Sequence, residues 1–142
     1  MQIIKLAGLA DLYDGETQNG LKHGKGGMFY KSGAKYEGDW KNDVEHGTGE
    51  KVWPDGKTYV GEFRNGFLHG QGKMVWPDGD VYEGDFMNDV RWGQGTMTYN
   101  DGRVYTGKWA NDKRQGNILH FILNNYLHSG ADTGFYSGKA RF

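Results

Sequence analysis

Three histidines that recur in the same local sequence are the first candidates for metal chemistry. His23, His46 and His69 each begin a His-Gly-x-Gly segment, and they stand 23 residues apart. Neighbouring β-strands lie about 4.8 Å apart, so equivalent residues of successive two-stranded units would be about 10 Å apart. Ligands of one zinc ion each lie about 2 Å from it. We therefore expect no shared metal site and interpret these residues as loop histidines that hydrogen-bond the backbone or pack beside glycine.

Other residues with catalytic chemistry form no coherent site. Asp55, Asp78 and Asp101 also recur every 23 residues, at turn positions where aspartate accepts hydrogen bonds from nearby backbone. No serine lies in a Gly-x-Ser-x-Gly segment, and the chain has no cysteine to act as a nucleophile. No Gly-x-Gly segment precedes a helical pattern, as a phosphate-binding loop requires. Because an active site needs one unique constellation, we predict that the chain is not an enzyme and uses no cofactor.

Charge also limits the class of partner. The chain has 17 Lys plus Arg and 18 Asp plus Glu, so no overall field attracts it to nucleic acid, and we expect no nucleic-acid partner. Residues 103–142 hold six basic and two acidic residues, and only this part could attract anionic lipid. No apolar run reaches roughly 20 residues, the length of a membrane-spanning helix. We expect a soluble, cytoplasmic protein.

Glycine and aromatic residues are unusually frequent and follow a 23-residue repeat. The 142 residues include 25 glycines, and 21 Trp, Tyr and Phe against 19 Leu, Ile and Val. Each repeat begins with a Tyr-x-Gly segment, and the tyrosines that begin them are Tyr13, Tyr36, Tyr59, Tyr82 and Tyr105. A Trp or Phe, an Asn, a His-Gly-x-Gly segment and a Pro-Asp-Gly or Asn-Asp-Gly turn follow in the central copies. Such a repeat predicts an array of similar small units.

Each repeat has the pattern of a β-hairpin. In segment 59–64, Tyr59, Gly61 and Phe63 fall on one face, and Glu62 and Arg64 fall on the other. This alternation with a period of two residues is typical of a β-strand. Asn65-Gly66 favours a hairpin turn, although the extra residues before His69 predict a loop longer than two residues. Pro-Asp-Gly favours a turn between hairpins. We predict an all-β fold, an elongated, twisted, single-layered antiparallel sheet of about ten strands and about 50 Å in length.

The repeated pattern resembles the MORN repeat family (membrane occupation and recognition nexus) over residues 13–116. The resemblance implies a single-layered array of hairpins with an aromatic groove. It also implies a module for protein interaction, in cytoskeletal or ciliary scaffolds or as an accessory region of lipid kinases and methyltransferases. The outer copies depart from the pattern. Thr17 replaces the aromatic residue of the first copy, Trp92 replaces the histidine of the fourth, and residues 115–118 replace the His-Gly-x-Gly of the fifth.

Aliphatic residues concentrate at both ends of the chain. The end residues of this type are Ile3, Ile4, Leu6, Leu9, Leu12, Ile118, Leu119, Ile122, Leu123 and Leu127. Terminal units of a repeat array lack a neighbour on one side and need covering residues. We therefore predict an N-terminal cap at 1–12, five repeats at 13–116 and a divergent C-terminal cap at 117–142. A strand is favoured at 117–123, and a helix is the alternative.

The aromatic face is the predicted partner-binding site. A single-layered sheet has no second layer to cover this face, so some ring surface should stay exposed, as at many interaction sites. The residues of this predicted groove are Tyr36, Trp40, Trp53, Tyr59, Phe63, Trp76, Tyr82, Phe86, Tyr99, Tyr105 and Trp109. We expect them to bind an amphipathic helix or an extended peptide of a partner protein. The alternatives are an anionic phospholipid such as a phosphoinositide, and self-association through opposite charges or terminal strand edges.

Overall fold

Ten strands form one open antiparallel sheet in the computed structural model, which describes residues 10–115. The strands are β1 Leu12–Gln18, β2 Leu21–Phe29, β3 Lys35–Lys41, β4 Val44–Val52, β5 Thr58–Arg64, β6 Phe67–Val75, β7 Val81–Met87, β8 Val90–Thr98, β9 Val104–Ala110 and β10 Lys113–Arg114. Each strand pairs with the next one along the chain, so the order in the sheet is the order in the sequence. This arrangement confirms the predicted all-β array of tandem hairpins.

The predicted caps fall mainly outside the described residues. The structure does not describe residues 1–9 and 116–142. The caps at 1–12 and 117–142, and the choice between strand and helix at 117–123, therefore stay predictions. Between residues 10 and 115, no helix has the length and apolar character needed to cross a membrane.

The turns inside the hairpins are shorter than the sequence predicts. Arg64 pairs with Phe67, so only Asn65 and Gly66 connect β5 to β6. Their φ angles are 52° and 86°. Two central residues with positive φ are typical of a type I′ turn, whose twist matches that of the two strands. The prediction of a loop longer than two residues is therefore wrong.

A bulge accommodates the residues that seemed to lengthen the loop. The pairing of β5 with β6 shifts between Gly61 and Phe63, where Glu62 alone lies opposite residues 69–71. The β1–β2, β3–β4 and β7–β8 pairs shift at the equivalent place. The extra residues thus lie within the return strand. Bulges of this kind bend a strand and increase its local twist.

The turns between hairpins follow the sequence prediction. In the turn 54–56 the Asp55 carboxylate accepts a hydrogen bond from the N–H of Lys57 at 2.9 Å, and the glycine has a φ of 97°. Asp78 and Asp101 accept the equivalent bond from the residue two positions later. The recurring aspartates are turn residues, as predicted, and glycine supplies the left-handed conformation that the turn requires.

The motif tyrosine covers two glycines that face each other across a hairpin. The Tyr59 ring is fully buried, and its hydroxyl donates a hydrogen bond to the carbonyl of Glu62 at 2.8 Å. A Cβ atom added to Gly72 would lie 2.2 Å from the Tyr59 hydroxyl oxygen, and one added to Gly61 would lie 2.5 Å from Gly72 Cα. The ring therefore needs glycine at both positions.

These rings form a continuous chain along the sheet. Tyr59 packs edge-to-face on Phe63 of its own strand, with ring centres 5.2 Å apart, and on Phe86 of the next repeat at 5.0 Å. Tyr36 and Tyr82 repeat this arrangement with the neighbouring motif rings. Each such contact contributes about 0.5–1.5 kcal/mol beyond the burial of apolar area. The core of the array is this chain of rings on a floor of glycine.

We expect Gly72→Ala to destabilise the domain, because its methyl group would overlap the Tyr59 ring. Overpacking of this kind costs about 1–3 kcal/mol, and the loss should appear as a lower urea midpoint of unfolding. Gly27→Ala is the matched control, since a Cβ atom there lies 3.7 Å from its nearest neighbour, an ordinary contact. The control should stay within about 1 kcal/mol of wild type. Equal losses from both substitutions would contradict the packing described above.

Candidate functional site

Eight of the eleven predicted groove residues are buried by the chain itself. These eight are Tyr36, Trp40, Tyr59, Phe63, Tyr82, Phe86, Tyr105 and Trp109, with exposed fractions of 4% or less. The ring surface expected to stay exposed on this face therefore does not belong to these eight residues. The other three, Trp53, Trp76 and Tyr99, are partly buried and pack against this core, as does Tyr30. We call these four the aromatic row. Contact of any of the eleven residues with a partner stays a prediction.

One residue of each return strand covers the buried rings. In the third repeat this residue is Leu68, which pairs with Phe63 and belongs to the buried cluster. In the first repeat it is Lys22, whose ammonium lies 5.6 Å from the centre of the Trp40 ring. The equivalent residues, called the ladder positions below, are Lys22, Glu45, Leu68, Arg91 and Arg114. Leu68 and Glu45 are themselves buried, whereas the side chains of Lys22 and Arg91 stay partly exposed.

Sequence reasoning missed the ladder positions. These positions hold a basic residue in the first, fourth and fifth repeats, an acidic residue in the second and an aliphatic residue in the third. Because the residue type changes, the positions do not appear in the repeated motif. A signal was nevertheless present. Each ladder position stands three residues after the turn asparagine, and a fixed offset from a fixed turn places equivalent side chains on one face of a sheet.

The second repeat carries a polar cluster at its ladder position. Glu45 is buried, and its Oε2 accepts a hydrogen bond from the Tyr30 hydroxyl. The Lys51 ammonium lies 3.7 Å from the same oxygen and 5.4 Å from the centre of the Tyr30 ring. The equivalent residues of the third repeat are Leu68 and Met74, both buried. The second repeat is therefore polar at these two positions, and the neighbouring third repeat is apolar.

A cleft of about 660 Å³ opens over the first two repeats. Its walls include Lys22, Glu45, Lys51 and Trp53. The cleft thus combines two ladder positions with one member of the aromatic row. Concave surfaces with aromatic walls and a few polar groups are typical of binding sites.

The fourth and fifth repeats give the groove a basic end. The guanidinium carbon of Arg91 lies 4.8 Å from the centre of the Trp109 ring, and Arg91 Nε donates a hydrogen bond to Asp112 at 2.9 Å. Arg103 lies in the same way over Tyr99, at 4.8 Å. Cations stacked on ring faces are held in place by the ring quadrupole. This end of the groove can therefore present guanidinium groups to an anionic partner.

Acidic residues at the bulges have a structural role. Glu62 Oε2 accepts a hydrogen bond from the N–H of Gln71 at 3.0 Å, a donor that the shifted strand pairing leaves without a partner carbonyl. The carboxylates that accept this bond in other repeats are Glu16, Asp39 and Asp85. The Lys25 ammonium, followed by the Thr48 backbone, holds the pKa of Asp39 below its ordinary value. These acids stabilise the bulge.

The three histidines lie in strands, so the interpretation of them as loop residues is wrong. His46 lies in β4, and its Nδ1 accepts a long hydrogen bond from the N–H of Asn65 at 3.5 Å. The Nδ1 atoms of His23 and His69 are buried, and no described residue donates to them. No group of three or more His, Asp or Glu side chains within residues 10–115 is arranged to hold a metal ion.

Burial changes the acidity of the core tyrosines. It is the largest of the effects that raise the pKa of Tyr36, Tyr59, Tyr82 and Tyr105 above the ordinary value of 10.0. Burial also raises the pKa of Tyr30, and the adjacent Glu45 carboxylate raises it further. These hydroxyl groups therefore stay neutral in the folded protein at pH values where a free tyrosine would ionise.

A family model described as MORN repeat matches the chain five times in tandem. The matched ranges are 13–35, 36–58, 59–81, 82–102 and 105–117. Together they cover more than half of the chain, and each of the first four contains one motif tyrosine with its hairpin and the turn that follows. No curated protein matches the chain.

We expect the domain to lose stability steeply as the pH rises above about 10. Below that pH the core tyrosines are neutral in both the folded and unfolded states, whereas above it only the unfolded chain ionises readily. Each such tyrosine then lowers the free energy of unfolding by up to about 1.4 kcal/mol per pH unit. Urea titrations from about pH 9 to about pH 11, with tyrosinate absorbance as a second signal, measure this slope.

The control for this prediction is Tyr59→Phe. The variant keeps the ring over Gly72 and removes one ionisable hydroxyl, so its stability should fall less steeply with pH. A slope unchanged by the substitution would contradict the assignment.

Proposed function

Because the chain belongs to the MORN repeat family, we propose that its groove binds a segment of a partner protein, as a helix or an extended peptide. MORN repeats indicate a module for protein or membrane interaction, and the family is generally non-catalytic. On this proposal the chain is not an enzyme but a scaffold module. A cytoplasmic location, on cytoskeletal or ciliary structures, belongs to the same proposal.

The observation that carries the proposal is the aromatic row on the groove face. Its rings are partly exposed, and cations lie over them, as Lys57 lies over Trp53 at 4.5 Å and Arg91 over Trp76 at 5.3 Å. Aromatic and arginine side chains are the types enriched at protein interfaces and among the residues that dominate binding energy. The buried rings beneath supply a rigid floor, which lowers the entropic cost of binding.

Anionic phospholipid is the second candidate, and the basic end of the groove favours it. Arg91, Arg103, Lys113 and Arg114 lie within the fourth and fifth repeats. Two of them are already paired, Arg91 with Asp112 and Arg103 with Asp101. Membrane-binding clusters usually contain about 4–8 Lys or Arg residues close together in the sequence, and these four are spread over residues 91–114. The described contacts therefore support a protein partner more strongly than a lipid surface.

We expect the double variant Trp53→Ala, Trp76→Ala to lose capture of the native partner from lysate by about tenfold or more, because truncation of interface tryptophans costs over about 2 kcal/mol. Val60→Ala is the control, since this side chain is 53% exposed and lies on the other face. Circular dichroism should confirm that both variants fold.

Liposome flotation distinguishes the two candidate functions. Vesicles containing phosphoinositide should retain little protein at physiological salt, because weak surface attraction is screened. Two results together would favour lipid binding instead. The first is strong flotation that is lost when Lys113 and Arg114 are neutralised, and the second is protein capture that the double tryptophan variant does not reduce.

A further inference from the structure

The cleft over the first two repeats has a candidate occupant within the chain itself. We propose that residues 1–9, which lie outside the described structure, occupy this cleft. The segment runs across the groove from Asp11 towards Asp43, and its aliphatic side chains lie on the exposed surfaces of the Tyr30 and Trp53 rings. This inference goes beyond the proposed function, because it assigns an intramolecular ligand to one end of the groove and needs no partner.

The described part of the chain begins at the rim of this cleft. Asp11 is one of the residues that line it, and the Asp11 carboxylate accepts a hydrogen bond from the N–H of Lys31 at 2.6 Å. This bond fixes the point from which residues 1–9 depart. Nine extended residues span up to about 30 Å, which is also the length of a nine-residue strand such as β4. The segment is therefore long enough to cross the groove along a whole hairpin.

A small residue in the first repeat keeps the cleft open. In the second repeat Lys57 lies over the Trp53 ring at 4.5 Å. The equivalent residue of the first repeat is Ala34, whose side chain is too short to lie over Tyr30 in this way. Tyr30 and Trp53 both line the cleft and are partly exposed. An occupant can therefore contact the two rings without reaching the buried residues of the cleft floor.

The segment matches the cleft in polarity and in charge. Its only charged side chain is that of Lys5, and its large apolar residues are Met1, Ile3, Ile4, Leu6 and Leu9. The cleft is lined by three carboxylates and two lysines, so its side chains carry one net negative charge. Aliphatic side chains lose water against the rings, and Lys5 complements the excess carboxylate. The segment therefore offers the cleft both apolar contact and the charge that it lacks.

The alternative course for the segment is an added strand on the outer edge of β1. It requires a turn like those between the described hairpins, and each of these turns contains a glycine with a φ between 95° and 101°. These glycines are Gly33, Gly56, Gly79 and Gly102. The 23-residue period places Ala10 at the equivalent position, and a residue with a Cβ atom is strained in this conformation. The regular turn back to β1 is therefore disfavoured, which favours the cleft.

Disulfide cross-linking of the full chain tests the placement. The chain has no cysteine, so an introduced pair reports on two chosen positions only. Gln2→Cys with Val44→Cys joins the segment to the side of the cleft farthest from Asp11, where Val44 is 38% exposed. A bridge requires Cα atoms within about 7 Å of each other. Because docking raises the effective concentration of the two thiols, this pair should oxidise at least about tenfold faster than a pair held apart.

The matched control is Gln2→Cys with Thr17→Cys. Residues 25 and 39 pair in the sheet, so an added strand in the same register would place residue 2 opposite residue 16, beside the exposed Thr17. On our proposal this pair oxidises slowly. A Thr17 pair that oxidises as fast as the Val44 pair or faster would show strand addition and overturn the proposal. Slow oxidation of both pairs would overturn it as well.

Acrylamide quenching of tryptophan fluorescence gives a second measurement without cysteines. Ile3→Asp combined with Ile4→Asp should release the segment and increase the quenching constant, because Trp53 then becomes more accessible. The increase should be absent when the same changes are made in a Trp53→Phe background. An unchanged constant, or an increase that persists without Trp53, would overturn the proposal. Neither measurement involves a partner, so failure here leaves the proposed function standing, and loss of the proposed function leaves this inference standing.

Discussion

The packing of one tyrosine ring on two facing glycines is the contact on which the rest of the structure depends. The Tyr59 ring lies so close to Gly72 that no side chain fits beneath it, and its hydroxyl binds the carbonyl of Glu62. A sheet normally needs a second layer to bury its apolar face. Here the rings pack on the glycine backbone, and residues of the return strands cover them from the other side. A single layer therefore has a core, and the array can extend by adding hairpins.

The packing of tyrosine on glycine also leaves the ladder positions free to differ in residue type between repeats. Tyr59 touches Phe63 and Phe86, so the ring chain fixes how each hairpin sits on the next. The strand pairing shifts at Glu62, and the Glu62 carboxylate accepts a hydrogen bond from the N–H of Gln71, which this shift leaves without a carbonyl partner. The ladder residue only has to cover the rings from above. Leucine does so with apolar contact and arginine by stacking, so this position is free to differ in charge.

The sequence predicts those features that depend only on local turn chemistry, on the 23-residue repeat or on the two-residue alternation of a strand. The hairpins, the shared face of Tyr59 and Phe63 and the Asp55 turn follow from spacing and turn preference. The loop length at Asn65 could not be predicted, because the compensating bulge depends on cross-strand pairing. Nor could the burial of the motif rings, because their cover is supplied by the return strand. The ladder residues differ in type between repeats, so the repeated motif does not include them, and only their fixed offset from the turn asparagine indicates their shared face.

The charges of the groove are largely compensated within the chain, and this affects what binding can achieve. Lys22 lies 3.4 Å from Asp43, and Arg91 lies 2.9 Å from Asp112. Within residues 10–115, these two cations of the groove are therefore already paired. A partner residue adds to an existing pair rather than neutralising an isolated ion, so its net contribution to affinity is small. A wrong charge, by contrast, meets a fixed like charge beside apolar rings and is strongly disfavoured. On the proposed function, the partly exposed rings of the aromatic row would therefore supply most of the binding energy.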